Sequence, residues 1–398
     1  TATALDECMK IFASLPKVAP NSMLARVFLA FLSTAGIFYV NILPALVDGL
    51  ITALGFTNQQ AGSVASANLY GAALGALLIV FLIRKLDWQL AALLFLGGLL
   101  AVDLASIFVT QANTMIALRF ADGFIGGMLV GTGFSVIART DGPDRTFGVL
   151  LFVQFGLGGL GVMMLPGLVD LFGTQALFLA LIAFTTVTLL MLPFLPDYTV
   201  DEAEAAARKA LHGKIKVVPL ALTLIGIFLF QASNNALYAY IIGLGEFFGQ
   251  QGAMVTTTLG VAAWLGLVGA GLVVLLSDRL GYLKTLAAGL VVTIVGTWAF
   301  LHSDIAWVWI TANCLIGITW AFTISYLLGL ASRFDTAGQM AALGGFASKM
   351  GLASGPAIAA LLVGESNYVQ VTWAAVVGLV LCLAVLLYPA RIQDLLRR

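Results

Sequence analysis

A chain of 398 residues is long enough for two or three soluble domains, yet 61% of it is hydrophobic, 10% is charged and its mean hydropathy is +1.04. An ordinary soluble domain is about a quarter charged, so this composition cannot cover a water-facing surface and specifies a polytopic membrane protein. Nineteen basic and nineteen acidic residues cancel, which argues against nucleic acid as a partner held by net charge.

Residues 1–22 are mixed in character, with Asp6, Glu7, Lys10 and Lys17. They lack the apolar core of a cleavable signal and are expected to form a cytoplasmic N-terminal segment. A spanning helix needs about 20 apolar residues. Twelve such runs follow, at 23–46, 60–82, 89–109, 113–137, 147–169, 175–195, 217–244, 254–277, 285–301, 307–330, 338–362 and 370–390. Runs this long and continuous in lipid are helices. The chain is therefore predicted as an all-α membrane protein with two six-helix bundles, 23–195 and 217–390, joined by a linker at 196–216 and followed by a short tail at 391–398. Thr199 and Glu202 make a capping box in the linker, and Arg208 and Lys209 trail the acids, which predicts a short helix there with Gly213 as its stop.

Of the 19 Lys and Arg residues, 17 fall in the first segment (with Arg26 taken as the edge of the first span), the even-numbered gaps, the linker and the tail; the odd-numbered gaps hold only acids such as Asp48, Asp304 and Glu365. The positive-inside rule then predicts both termini and the linker on the cytoplasmic side. The two remaining cations, Arg119 and Lys349, fall inside spans.

The halves resemble one another. Arg119-Phe-Ala-Asp-Gly123 is echoed by Asn313-Cys-Leu-Ile-Gly317 at an offset of 194, Gly161 and Pro166 by Gly351 and Pro356 at 190, and Gly71 and Arg84 by Gly266 and Arg279 at 195. Three matches at nearly one offset indicate a duplicated six-helix unit, the kind of repeat that supports alternating access.

Between the eighth and ninth spans lies Asp278-Arg-Leu-Gly-Tyr-Leu-Lys284. This loop resembles the D-R-x-G-x-x-[RK] motif of the major facilitator superfamily, and Arg119-x-x-x-Gly123 resembles that family's fourth-span arginine motif. Gly161 and Pro166 are loosely similar to its antiporter motif, without the contiguous Gly-Pro. The first-half loop keeps Arg84 but has Ile83 and Leu86 where Asp and Gly are expected. The resemblance covers the whole chain and implies twelve transmembrane helices in two pseudo-symmetric bundles around a central cavity, with Asp278, Arg279, Gly281 and Arg84 as gating residues. Independently of family, a short charged loop can pair with helix ends in one gating state, and Gly281 permits a tight turn.

A charge at the bilayer centre costs roughly 2.5–3.5 kcal/mol on insertion scales and needs a reason. Arg119 is expected about 10 Å from the outer face and Lys349 about 18 Å from the inner one. The family fold would set their spans on opposite sides of the cavity, so that one cation from each half could grip a carboxylate. Asp122 shares a helix face with Arg119 and reads as a proton-coupling residue or a permanent ion-pair partner. Asp103 reads as structural or as a second proton site. Polar and aromatic candidates for the rest of a pocket are Tyr39 and Asn41 in the first span, Gln154 in the fifth, and Trp264 and Trp320 in the eighth and tenth. Gln231, Asn234, Asn235 and Tyr238 fall on one face of the seventh.

Cys8, Cys314 and Cys382 form no C-x-x-C pair, and His212 and His302 lie near the surfaces, so no metal site or cofactor is expected. No phosphate loop is present, and Gly344-Gly-Phe-Ala-Ser-Lys349 lacks its spacing. The expectation is a secondary active transporter, not an enzyme, acting as a monomer in a bacterial cytoplasmic membrane. It would move a small organic anion with protons as the coupled partner. A proton-coupled exporter of lipophilic drugs, and a non-transporting sensor or lipid scramblase, stay open.

Overall fold

The computed structural model describes residues 14–83, 86–198, 216–276, 281–334 and 341–396. The first crossing is made of three pieces, α1 (Met23–Ala35), α2 (Phe38–Asn41) and α3 (Leu43–Leu54). It is followed by α4 (Asn58–Leu82), α5 (Trp88–Ser106), α6 (Ala112–Ile137), α7 (Pro143–Phe172) and α8 (Gln175–Met191). The second half begins with α9 (Val217–Ala239) and α10 (Ile241–Phe247), which share a crossing. It continues through α11 (Gly252–Leu276), α12 (Tyr282–Ala299), α13 (Ala306–Arg333), α14 (Ala341–Val363) and α15 (Tyr368–Leu396). Among the described residues, 11 helices are long and apolar enough to cross a membrane; the composite α1–α3 makes the twelfth crossing. The result is two bundles of six crossings.

Local chemistry sets several boundaries. Thr57 and Gln60 form a reciprocal capping box at the start of α4, and Asp87 caps α5 through the Leu90 amide. The first span, expected as one helix over 23–46, is interrupted at Gly36–Ile37 and again at Ile42. Pro44 explains the second break: it lacks an N–H, and its ring crowds the carbonyl four residues back, at Val40. Gly36 sits where a side chain would run into the Gly126 carbonyl of α6.

The duplication is visible as packing. A methyl on Gly123 would land on the Asn68 carbonyl of α4, and one on Gly317 on the Ala262 carbonyl of α11. Gly75 faces the Phe124 carbonyl in the same way, and Gly269 the Ile318 carbonyl. Each of the four first-half positions has its counterpart 194 residues later. Small residues at these points bring the helix backbones together, as membrane packing requires.

The halves meet along α4 with α14 and α7 with α11. The linker leaves α8 and enters α9 on one face of the bundle, here the linker face. Asn58 donates to the carbonyls of Gly364 and Glu365 at 3.0 and 2.8 Å, and Tyr240 donates to the Asn58 carbonyl at 2.6 Å. Nearer the middle, Tyr70 and Ser354 share a 2.8 Å hydrogen bond and Trp264 donates to the Gly156 carbonyl at 3.1 Å. These cross-half bonds run from the midplane to the far face, so the halves are tied together on the side away from the linker.

Candidate functional site

A cavity of about 150 Å³ lies at the seam between the halves, near mid-depth. From the first half it is lined by Asn41 and Gln154, from the second by Asn234, Asn235, Tyr238 and Trp320. Six of the pocket residues expected from sequence therefore meet at one place. The ring of Phe155 stands edge-on to Trp320, with centroids 6.1 Å apart, and adds a flat apolar wall. Asn313 also lines the cavity. Its position is readable as the counterpart of Arg119 in the repeat, but nothing in the local sequence marks its side chain as a pocket group.

The helices hold these amides in fixed orientations. Asn234 and Asn313 each donate to the carbonyl four residues earlier in their own helix, at 2.8 and 2.9 Å. Asn235 donates to the Leu352 carbonyl of α14 at 2.6 Å, and Tyr238 to the Asn41 carbonyl across the seam at 3.1 Å. Gln231 does not line the cavity. It sits behind Trp320, accepting from the indole N–H at 2.9 Å and donating to Ser348 at 2.8 Å. Trp264 is likewise absent from the lining, its N–H being spent on Gly156.

Arg119 is corrected more sharply. Sequence reasoning sets it at the cavity opposite Lys349; instead it is 1% exposed inside the first bundle. Its Nη1 lies 2.8 Å from Asp103 Oδ1 and 3.4 Å from Asp122 Oδ2, while Nη2 donates to Ser106 Oγ at 2.5 Å. Its guanidinium carbon stands 5.2 Å from the centre of the Phe178 ring. The physical reason is charge: a lone guanidinium in hydrocarbon is expensive, and two carboxylates within reach outcompete an open cavity. Asp103, on the neighbouring α5, is the closer partner. Asp122 is also held by Asn68, which donates to its Oδ2 at 2.8 Å, but its Oδ1 has no partner among the described residues. A separate cavity of about 10 Å³ is lined by Asp103, Asp122, Tyr39 and Thr185, room for about one water. With both carboxylates ionised, the three side chains carry a net charge of −1.

The short α2 stands between the two spaces. Phe38 and Tyr39 line the small acidic cavity, while Val40 and Asn41 line the large one. Tyr39 thus belongs to the acidic site and not to the solute-sized cavity.

Lys349 is half-buried on α14 and has no ion pair or hydrogen bond among the described residues. It precedes Leu352, which lines the cavity, by three positions, so the two are neighbours on one helix face. It also shares the side of the helix that carries Pro356 and Ala360, which pack on Gly62 of α4. Lys349 therefore sits on the seam, about one turn toward the linker face from the cavity.

Of the gating candidates, Arg84, Asp278 and Arg279 lie outside the described residues, as does the expected linker helix. Gly281 has φ +77°, and a methyl there would fall 2.9 Å from Asp394 Oδ2. Asp394 accepts from the amides of Tyr282 and Leu283 at 2.7 and 3.0 Å and so caps α12. Asp394 falls in the segment read as a tail beyond 390; α15 instead continues to Leu396.

Three comparisons bear on this arrangement. The family model described as Major Facilitator Superfamily matches residues 27–348. The crystal structure of a point mutant of the nucleoside transporter NupG is similar with a TM-score of 0.73, at 13% identity, over 92% of this chain and 99% of that one. No curated protein matches by sequence.

Proposed function

This chain belongs to the major facilitator superfamily, and we propose that it is a secondary active transporter carrying a small polar organic solute through the amide-lined cavity. One observation carries the reading: a cavity built from both halves at mid-depth, sealed toward the far face by bonds that rocking of the halves would break. The basic residues support a cytoplasmic linker, and the state we propose is then inward-facing, in a bacterial cytoplasmic membrane.

Protons are the proposed coupling ion, and Asp103, Arg119 and Asp122 the proposed coupling site. A net charge of −1 sealed in a bundle is removed most cheaply by one proton, and the unpartnered Oδ1 of Asp122 is the atom to take it. The solute is an uncharged polar molecule in the favoured reading, since no charged residue among the described residues lines the cavity; the nucleosides named for NupG are of this kind. A small organic anion is the second reading, on the observation that Lys349 carries no ion pair among the described residues beside the cavity.

The test is uptake into proteoliposomes under an imposed pH gradient. Accumulation driven by the gradient is expected, and Asp122→Asn should leave exchange while abolishing accumulation. Flux indifferent to the gradient would remove proton coupling, and no solute flux at all would return the sensor or scramblase reading. An export activity that needs Asp122 but not Lys349 would mark a drug exporter.

A further inference from the structure

We infer that the central cavity selects its solute by the hydrogen-bond donors the solute carries. It is a site of acceptors for an uncharged molecule with several N–H or O–H groups and a flat apolar face. The inference rests on reading this cavity as the solute site.

The orientation of each amide is fixed by chemistry. A backbone carbonyl only accepts, so an amide within 2.6 to 2.9 Å of one must present its nitrogen. Asn234, Asn235 and Asn313 all face such carbonyls, so their oxygens are turned the other way. Those oxygens accept nothing from the protein among the described residues, yet none is a sealed, partnerless atom, whereas Asp122 Oδ1 is one. All three residues are buried and line the cavity, which leaves the cavity as the place their oxygens reach.

The single-donor groups of the same wall are already used. The Trp320 N–H is given to Gln231 and the Tyr238 hydroxyl to the Asn41 carbonyl. The side-chain amide of Gln154 has neither end engaged among the described residues, and it can turn to suit either kind of partner. A carboxylate entering this space would set its oxygens against three asparagine oxygens and meet no cation in the wall among the described residues, only the neutral N–H groups of the amides. An ammonium would find acceptors, but no carboxylate among the described residues lines the wall and Lys349 stands one turn away with the same charge. An uncharged donor-bearing molecule satisfies the oxygens and lays its flat face on one of the rings of Phe155 and Trp320, with its edge against the other, since the two stand nearly perpendicular. A volume of about 150 Å³ is room for roughly five waters at their liquid volume, the scale of a single ring.

The experiment is a thermal-shift series on the purified full-length chain with probes of one shape and four polar heads. These are benzamide, N,N-dimethylbenzamide, benzoate and benzylammonium, with uridine and its N3-methyl derivative as a larger matched pair. Stabilisation by benzamide or uridine is expected, weakened about tenfold in apparent affinity by each methylated partner, with benzoate and benzylammonium inert. Asn235→Leu and Asn313→Leu should each abolish the effect, while Thr188→Val, whose hydroxyl is spent on the Phe184 carbonyl of its own helix away from the cavity, should keep it. The inference is overturned if benzoate stabilises the chain, if neither uridine nor benzamide does, or if methylation makes no difference. Solute counterflow in proteoliposomes separates this failure from failure of the transporter reading. Carboxylate flux would sink the donor rule and leave transport standing, whereas donor-dependent binding with no flux of the bound probe would do the reverse.

Discussion

Replacing Arg119 by methionine leaves Asp103 and Asp122 facing each other with no cation, both buried, in a space with room for about one water. Removing one partner of a buried ion pair costs about 3–5 kcal/mol, because the charge left behind is uncompensated. The two acids should not respond alike. Asp103→Asn removes the 2.8 Å contact and leaves Arg119 with the carboxylate 3.4 Å away, which is also shared with Asn68. A loss of about 2–3 kcal/mol is expected. Asp122→Asn leaves a neutral Arg119–Asp103 pair and should cost about 1 kcal/mol or less. The triple change Asp103→Asn, Arg119→Met, Asp122→Asn removes all charge and should recover most of what Arg119→Met loses. Denaturant unfolding in mixed micelles, followed by tryptophan fluorescence, gives the ranking. A stable Arg119→Met protein would refute the buried-network account, and so would an Asp122→Asn protein weaker than Asp103→Asn.

Further outcomes follow from other contacts. Gly123→Ala and Gly317→Ala should each destabilise by about 1–3 kcal/mol, since a methyl at either meets a backbone carbonyl. Gly97→Ala, whose methyl meets nothing within 4 Å, should be neutral or mildly stabilising in the same unfolding assay. Asp394→Ala removes the cap of α12 and should cost about 1–2 kcal/mol, with amide exchange at Tyr282 and Leu283 accelerated. Tyr240→Phe deletes the hydroxyl bonded to Asn58 and weakens the far-face seal by about 1–3 kcal/mol. The labelling rate of a cysteine at Asn58 by a membrane-impermeant maleimide should rise accordingly. Lys349→Gln should change unfolding free energy by less than about 1 kcal/mol, because no ion pair among the described residues is lost.

The fold was legible because lipid leaves few options. Apolar runs of the right length are helices, and the 194-residue echo between Gly123 and Gly317 marks two packing points that serve the same purpose. The interruption of the first span was also written in the chain, at Pro44, but hydropathy averages over it. At the site, the 231, 234, 235, 238 face of α9 was visible from helical spacing, and three of its members do line the cavity. Which residue holds Arg119 was not visible. Asp122 is a helical neighbour, whereas Asp103 reaches it only because α5 packs against α6, a tertiary fact with no local signature. Asp394 was hidden for a related reason: its role depends on the end of α15 reaching the start of α12, more than a hundred residues apart in sequence.

The backbone-to-backbone glycine contacts have a mechanical consequence. Where a carbonyl rests directly on the next helix, no side chain remains between them to change rotamer, so the α4–α6 pair and its α11–α13 twin behave as stiff plates. Strain applied by a solute then has to be taken up where the helical ladder is already interrupted, at the joints either side of α2 and at Tyr240 between α9 and α10. Those joints flank the cavity from both halves, so the protein's softest points lie beside its cargo.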